Sequence, residues 1–544
     1  MSATEFGALA ERVIDELLAA DPALANTAGD HRHDRALPDF SADGVAARVR
    51  MLRDASGALS GVDTDDLTLA DRVDHEQLLA LVERGLFHLT EVREHEWNPL
   101  VHNPGPLLYA LIARPFAPAA QRLEALAARL RAVPDALDTA RAVLGDCPRI
   151  HLETAAGQFR GTASLIKDQV PELAVAQPSL WPTVEPAAVD AVAALESFAD
   201  WLTQRAAAAE PGRDPRLGRP LWEAKLWHTL DTELTAADVA RLARENLERV
   251  TTQLREAAAA LVGGRADDDT VRLALGRLAE EHPTDESIVE LAQLTLDESV
   301  AFVREHDLVS LVDDPCVIMT MPEFARGVAV AYCDSPGPLE SGGLPTFYCI
   351  APTPAGWSPE RVESFYREYN NHMVRDLTVH EAMPGHFLQL AHSRRYRGST
   401  RVRAVARSGS FIEGWAVYAE QVMAEHGFGG PGVRLQQLKM QLRMTINAIL
   451  DQAVHCDDMT EGEAMALMTG AGFQEEGEAA GKWRRALLTS TQLSTYFVGY
   501  QEVAAIAADR PSTVSARAWH DQMLAHGSPS PRHLRTLLQA RAPY

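Results

Sequence analysis

The chain has 544 residues, 46% of them hydrophobic, and a net charge of −25 at neutral pH. That length exceeds what one hydrophobic core usually organises, so two or more lobes are expected. The acidic balance argues against a nucleic-acid backbone or an anionic membrane surface as partner.

Five scattered cysteines (Cys147, Cys316, Cys333, Cys349 and Cys456) form no Cys-x-x-Cys pair, which argues against a cysteine-zinc site, and their odd number against a complete disulfide framework. The start, Met1-Ser2-Ala3-Thr4-Glu5, lacks a basic segment followed by an apolar run, and no stretch of about 18 uncharged apolar residues occurs. A soluble cytoplasmic protein without a membrane span is the expectation.

Most of the chain reads as helix. From Phe6 to Ala19, the spacing of Phe6, Leu9, Val13, Ile14 and Leu17 predicts one buried stripe. The Ala- and Leu-rich stretches 119–144, 187–209 and 236–262 read alike, with Val192, Leu195, Phe198, Ala199 and Leu202 on one side of the second. Proline-rich segments near 172–187 and 210–220 read as connections.

One region breaks the pattern. Cys316–Thr320, Val328–Tyr332 and Phe347–Ile350 are β-rich, and a Pro/Gly/Ser loop, Asp334–Gly343, separates the last two. This predicts a small antiparallel sheet, whose edge can take up an extended peptide beside a hydrolytic centre or which serves as a structural hairpin covering the helices. Ser358–His380 reads as one long helical pattern. Helices then follow over Ile412–His426, Val433–Val454, Glu461–Thr469 and Gly477–Leu488, and from Leu493 onward with breaks at Arg510-Pro511 and Gly527-Ser528-Pro529. The expected organisation is an N-terminal helical lobe over 1–310 and a sheet-plus-helix lobe over 311–544, as lobes of one cooperative fold.

The long pattern ends in the most informative stretch, Thr378-Val379-His380-Glu381-Ala382-Met383-Pro384-Gly385-His386. Two imidazoles and a carboxylate can hold one Zn²⁺ and leave a position open for water. A glutamate beside the first ligand can take a proton from that water. In the regular His-Glu-x-x-His motif the histidines are four apart on one helix face; here they are six apart. An unbroken helix would place them roughly 120° and 9 Å apart, too far to share an ion. Pro384 interrupts the helix, and Gly385 can take a conformation closed to other residues. The pair is expected to form a bulge that swings His386 back beside His380.

Glu413 in Phe411-Ile412-Glu413-Gly414-Trp415-Ala416 follows 27 residues after His386, enough for a turn and a returning helix. It is the candidate third ligand. Glu420, two turns further on the same face, is the candidate acceptor for the distal N–H of a ligand histidine. Tyr496 and Tyr500 share a helix face and can donate to a developing oxyanion, or pack as core aromatics. His455 can contact substrate or be a buried structural histidine, and Arg485 can pair with a substrate carboxylate or with any neighbouring acid. His372 and His392 read as bystanders, with His392 the possible competitor as a ligand.

The motif set resembles a large bacterial family, domain of unknown function 885, whose members look like distant relatives of the gluzincin metallopeptidases such as thimet oligopeptidase and angiotensin-converting enzyme. The resemblance begins at Asp21-Pro22-Ala23-Leu24-Ala25-Asn26-Thr27-Ala28-Gly29-Asp30-His31-Arg32. It continues through His380–His386, Glu413–Glu420 and Asp451–His455, and ends with Arg485, Gln492, Tyr496, Gly499 and Tyr500. Two places depart from it: Met383, where an aromatic is common, and Ser490-Thr491-Gln492, where Pro-Gly-Gln is usual.

The resemblance implies a mainly α, multi-helix metallopeptidase-like architecture with a central cleft. It also implies a metal held by His380, His386 and Glu413, with Glu381 as general base. The resulting expectation is a zinc-dependent hydrolase of small peptide or amide substrates, with Mn²⁺, Co²⁺ or Fe²⁺ as alternative ions. A metal-dependent hydrolase or lyase of a specialised metabolite, and a non-catalytic binding or scaffold protein on the same fold, are the alternatives.

Overall fold

The periodicity of the sequence translates into a mainly α-helical protein with one small three-stranded sheet. The computed structural model describes residues 3–207, 212–321, 330–340, 343–353 and 356–539. No helix among them is long and apolar enough to cross a membrane. The chain divides into two units. The first comprises Met1–Pro215, Pro336–Leu344 and Gly398–Ala406; the second comprises Arg216–Ser335, Pro345–Arg397 and Arg407–Tyr544. The helices over 219–305, grouped above with the N-terminal lobe, therefore pack within the second unit.

In the first unit the expected stripe of Ala3–Ala20 is buried at Phe6, Val13, Ile14 and Leu17, with Leu9 at its margin. It packs on Leu52 and Leu59 of Ala42–Ser60, Leu78 and Val82 of Leu69–Phe87, and Val402 and Val405. A second core joins Ala119–Val143, Arg149–Ala174 and Trp181–Ala206, where Phe159 meets Phe198 edge-on at 4.8 Å.

The proline-rich stretch 172–187 is mostly helix rather than connection: one helix runs to Ala174 and the next starts at Trp181. Pro182 lies in a first turn, where the missing N–H has no intrahelical partner to lose. Burial of Val170 and Ala174, and of Val184 and Ala187, carries the helices past Pro171 and Pro186. In the other expected connection, residues 210 and 211 lie outside the described residues, and Arg219–Leu230 is helix.

In the second unit the strands are β1 (Cys316–Thr320), β2 (Ala331–Asp334) and β3 (Thr346–Ile350), in the order β1-β3-β2. The sheet is mixed, not antiparallel. β2 and β3 pair antiparallel, but β3 enters between its predecessors and runs parallel to β1, with Ile318 opposite Tyr348. Composition cannot reveal that insertion, because it is set by pairing between segments far apart in sequence. Of the predicted second strand, Val328 and Ala329 lie outside the described residues, as do Ser341 and Gly342 of the predicted loop.

Ser358–His380 is two helices, Pro359–Glu368 and Asn371–Glu381. Asn370 separates them, its side chain accepting from the N–H groups of His372 and Met373 at 3.1 and 3.2 Å. An asparagine in that role starts a helix, so it ends the preceding pattern.

Candidate metal centre

The motif helix, Asn371–Glu381, stops immediately after the first histidine and its neighbouring glutamate, and a new helix, His386–Ser393, begins at the second histidine. The connection is thus a break and restart rather than a bulge within one helix. Gly385 donates to the Val379 carbonyl at 3.0 Å. Its φ is −73°, so it does not use the left-handed region. Glycine is required for a different reason: a Cβ there would collide with the carbonyl oxygens of Val379 and His380. The turn is held from the other side by Trp415, whose indole N–H donates to the Pro384 carbonyl at 2.9 Å.

Trp415 belongs to the carboxylate helix, Gly409–Glu425, which Ser408 caps through the Phe411 N–H. This helix crosses the tyrosine helix, Ser494–Ala508, at Gly414 and Gly499. A Cβ on Gly414 would strike the Gly499 backbone, and one on Gly499 would strike the Ser410 carbonyl. The two glycines therefore let the helix bearing Glu413 and the helix bearing Tyr496 approach backbone to backbone. The sheet docks nearby, Tyr348 Oη lying 3.1 Å from Thr378 Oγ1 of the motif helix.

These constraints bring His380, His386 and Glu413 together. One donor atom from each lies within 4.8 Å of the others. Glu413 Oε2 is 3.5 Å from His380 Nε2 and 3.4 Å from His386 Nε2, and the two imidazole rings stand nearly perpendicular at 4.6 Å. Donors about 2.0–2.1 Å from a tetrahedral ion stand about 3.4 Å apart, so the spacing fits. The orphaned atoms fit as well: Glu413 Oε2 is buried and has no hydrogen-bond partner among the described residues. Nitrogen and carboxylate donors suit Zn²⁺ and its first-row neighbours. His380 Nδ1 lies 2.5 Å from Glu420 Oε1, which directs Nε2 toward Glu413, as expected of a carboxylate behind a ligand histidine.

The electrostatics demand positive charge here. Burial opposes ionisation of Glu413, yet the imidazoles of His386 and His380 hold its carboxyl well below the usual carboxylate range. Burial likewise opposes protonation of His380, but Glu413 and Glu420 outweigh it and raise its pKa well above the ordinary histidine value. A proton on His380 thus does part of what a bound cation does. Asp376, one turn before His380, was not singled out from sequence; its signal was the four-residue spacing on the same face. It is 2% exposed, and burial followed by the Glu420 charge raises its pKa well above normal.

Glu381 forms no hydrogen bond or ion pair with the described residues, and its charge reaches Cys333 on β2 and Tyr348 on β3. Tyr496 lies close enough to Glu413 for that carboxylate, after burial, to raise its pKa. Its hydroxyl is 3.3 Å from Arg485 Nη2 and 3.4 Å from Gln492 Nε2.

Two predicted residues do not join the cluster. Tyr500 Oη donates to Gln421 Oε1 at 2.5 Å and accepts from Gln441 at 3.2 Å. Sharing a face with Tyr496 put it one helical turn away, among other partners. His455 is 3% exposed and fully engaged: Nδ1 accepts from the Leu217 N–H at 3.3 Å, while Nε2 faces the carbonyls of Ala486 and Thr489 at 3.0 and 2.9 Å. It ties three segments together. His392 Nε2 donates to the Ser310 carbonyl at 2.8 Å and is a bystander.

No curated protein matches the chain. Among solved structures, a protein of Shewanella oneidensis, described as a lipoprotein of unknown function, superposes with a TM-score of 0.81 at 27% identity, covering 98% of this chain and 99% of its own. A protein of Colwellia psychrerythraea, also described as a lipoprotein, shares the fold with a TM-score of 0.80 at 16% identity over 98% of both chains. The model of the bacterial protein family of unknown function DUF885 matches residues 22–538, and the chain belongs to that family.

Proposed function

We propose that this protein is a zinc-dependent hydrolase of peptide or amide bonds in small substrates. The observation that carries the reading is the convergence of His380, His386 and Glu413 on one point, with the unpaired Glu381 carboxylate next in sequence to the first of them. These three residues would hold the ion. A bound Zn²⁺ supplies water activation and polarisation of the scissile carbonyl. The His-Glu…His…Glu order is also what underlies the resemblance to gluzincin metallopeptidases.

The chain's own residues supply the rest. Glu381 takes a proton from the attacking water and returns it to the leaving nitrogen, so that water adds across the C–N bond as OH on the acyl carbon and H on the amine. Tyr496, its phenol kept protonated by burial and by Glu413, donates to the oxyanion as it develops. Arg485 orients Tyr496 and presents a guanidinium to substrate. Glu420 fixes the ring of His380.

The test is Glu381→Gln assayed with acylated dipeptides. Turnover is expected to fall by about 10²–10⁴ while metal is retained. Wild-type turnover in that variant would remove Glu381 from the mechanism.

A further inference from the structure

Tyr496 connects the candidate centre to a second group of charges, in which one member has no counterpart. Arg485 reaches Tyr496 Oη and, at 2.8 Å, Gln492 Oε1. Arg443, on the helix Gly430–Cys456, donates to Tyr369 Oη at 3.3 Å and pairs with Glu478. Lys439, one turn earlier, holds both carboxylate oxygens of Glu368 at 2.9 and 2.8 Å. Lys482, on the helix Glu476–Leu488, is 6% exposed and forms no hydrogen bond or ion pair with the described residues. Its natural helical partner four residues back, Glu478, is taken by Arg443.

Burial, then Arg443 and Arg485, push the Lys482 ammonium well below the ordinary lysine pKa. Among the described residues, the two charges that act on it are both repulsive. Four basic side chains (Lys439, Arg443, Lys482 and Arg485) face two carboxylates (Glu368 and Glu478), in a chain whose net charge is −25. A buried ammonium without a counter-ion is costly. That cost is offset when an anion occupies the site, and two guanidiniums beside an ammonium are well suited to a carboxylate.

We propose that Lys482, with Arg443 and Arg485, binds a carboxylate of the substrate, so that the centre acts on peptides or acylated amino acids presenting a free carboxylate. The inference rests on the hydrolase reading for its substrate, and on the unpaired lysine for its site. The carboxylate can be the C-terminal one or that of an acidic side chain.

The test is calorimetric binding to the zinc-loaded Glu381→Gln protein, with hydrolysis by the parent protein measured in parallel. The probes are N-acetyl-dialanine, its C-terminal amide, an amidated acetyl-alanyl-glutamate and inorganic phosphate. At least one carboxylate probe is expected to bind about ten- to hundred-fold tighter than the neutral amide. Which one does so identifies the source. Lys482→Met in the same background is expected to reduce that probe to the level of the amide without changing the amide itself. Equal binding of all organic probes, tighter binding of phosphate, or an undiminished preference in Lys482→Met overturns the proposal. The first two comparisons need no second substitution, so they hold even if Lys482→Met does not fold. Equal hydrolysis of both carboxylate probes and the neutral amide rejects the carboxylate site and keeps the hydrolase. Carboxylate preference without hydrolysis of any probe rejects the hydrolase and keeps the anion site.

Discussion

Replacing Glu420 by glutamine separates support of the proposed metal from support of the fold. Glu420 is 2% exposed, and its Oε1 lies 2.5 Å from His380 Nδ1 while Oε2 has no partner among the described residues. The amide preserves shape and an acceptor but removes the charge. A hydrogen bond to a charged acceptor contributes about 1.5–3 kcal/mol and a neutral one about 0.5–1.5. The loss of about 1–2 kcal/mol corresponds to about 5- to 30-fold in affinity, which overlaps the lower part of the range of about 10- to 100-fold that such supporting carboxylates usually show.

The metal-free protein should behave differently. Burial raises the pKa of Glu420, and Asp376 sits beside it under the same influence. Removing one of two buried carboxylates relieves their repulsion and offsets the weaker hydrogen bond to His380, so the metal-free Glu420→Gln protein is expected to unfold within about 1 kcal/mol of wild type. Zinc affinity is read by competition against a calibrated chelator, and stability by urea unfolding in excess chelator. An unchanged zinc affinity would show that Glu420 does not act through His380. A large loss of metal-free stability would show that it is a structural residue instead.

Other consequences follow from the same contacts. Gly499→Ala places a methyl group against the Ser410 carbonyl where the two helices cross. It is expected to destabilise the protein by about 1–3 kcal/mol in denaturant unfolding, and a neutral effect would mean that the close approach does not set the distance between Glu413 and Tyr496. In the first unit, burial alone would lower the pKa of His31, but Asp34 at 3.0 Å and Glu340 at 3.6 Å reverse this and raise it to about 9. A raised folded-state value means that its contribution is fully present below about pH 6.5 and is lost as pH rises through about 9. After discounting for partial exposure that contribution is about 1–2 kcal/mol. His31→Gln should flatten the stability profile between pH 7 and about 10, and an unchanged profile would contradict the assignment.

The sequence was most legible where chemistry and local backbone coincide. His380, Glu381, His386, Glu413 and Glu420 could be named because ligand type, spacing and the Pro384-Gly385 interruption pointed the same way. The reason for Gly385 was not legible, since its collision with two carbonyls depends on how the chain restarts after the break. The surroundings of Tyr500 were not legible because a shared helix face does not fix which turn meets the cluster, and those of His455 because a buried histidine looks the same in sequence whether it meets substrate or three backbone groups. Lys482 was hidden by an ordinary local pattern: four residues after Glu478 it reads as half of a surface ion pair, and only the arrival of Arg443 from another helix leaves it alone. The order of the strands was hidden in the same way, because β3 inserts between segments that precede it.

The most direct measurement is metal content after dialysis of the wild-type protein and of His386→Ala and Glu413→Ala against trace zinc. The geometry of the three donors predicts about one tightly held ion per chain in the wild type, and its loss from both folded variants. A folded wild-type protein that holds no ion above background, or variants that hold as much as wild type, would contradict the account at its root.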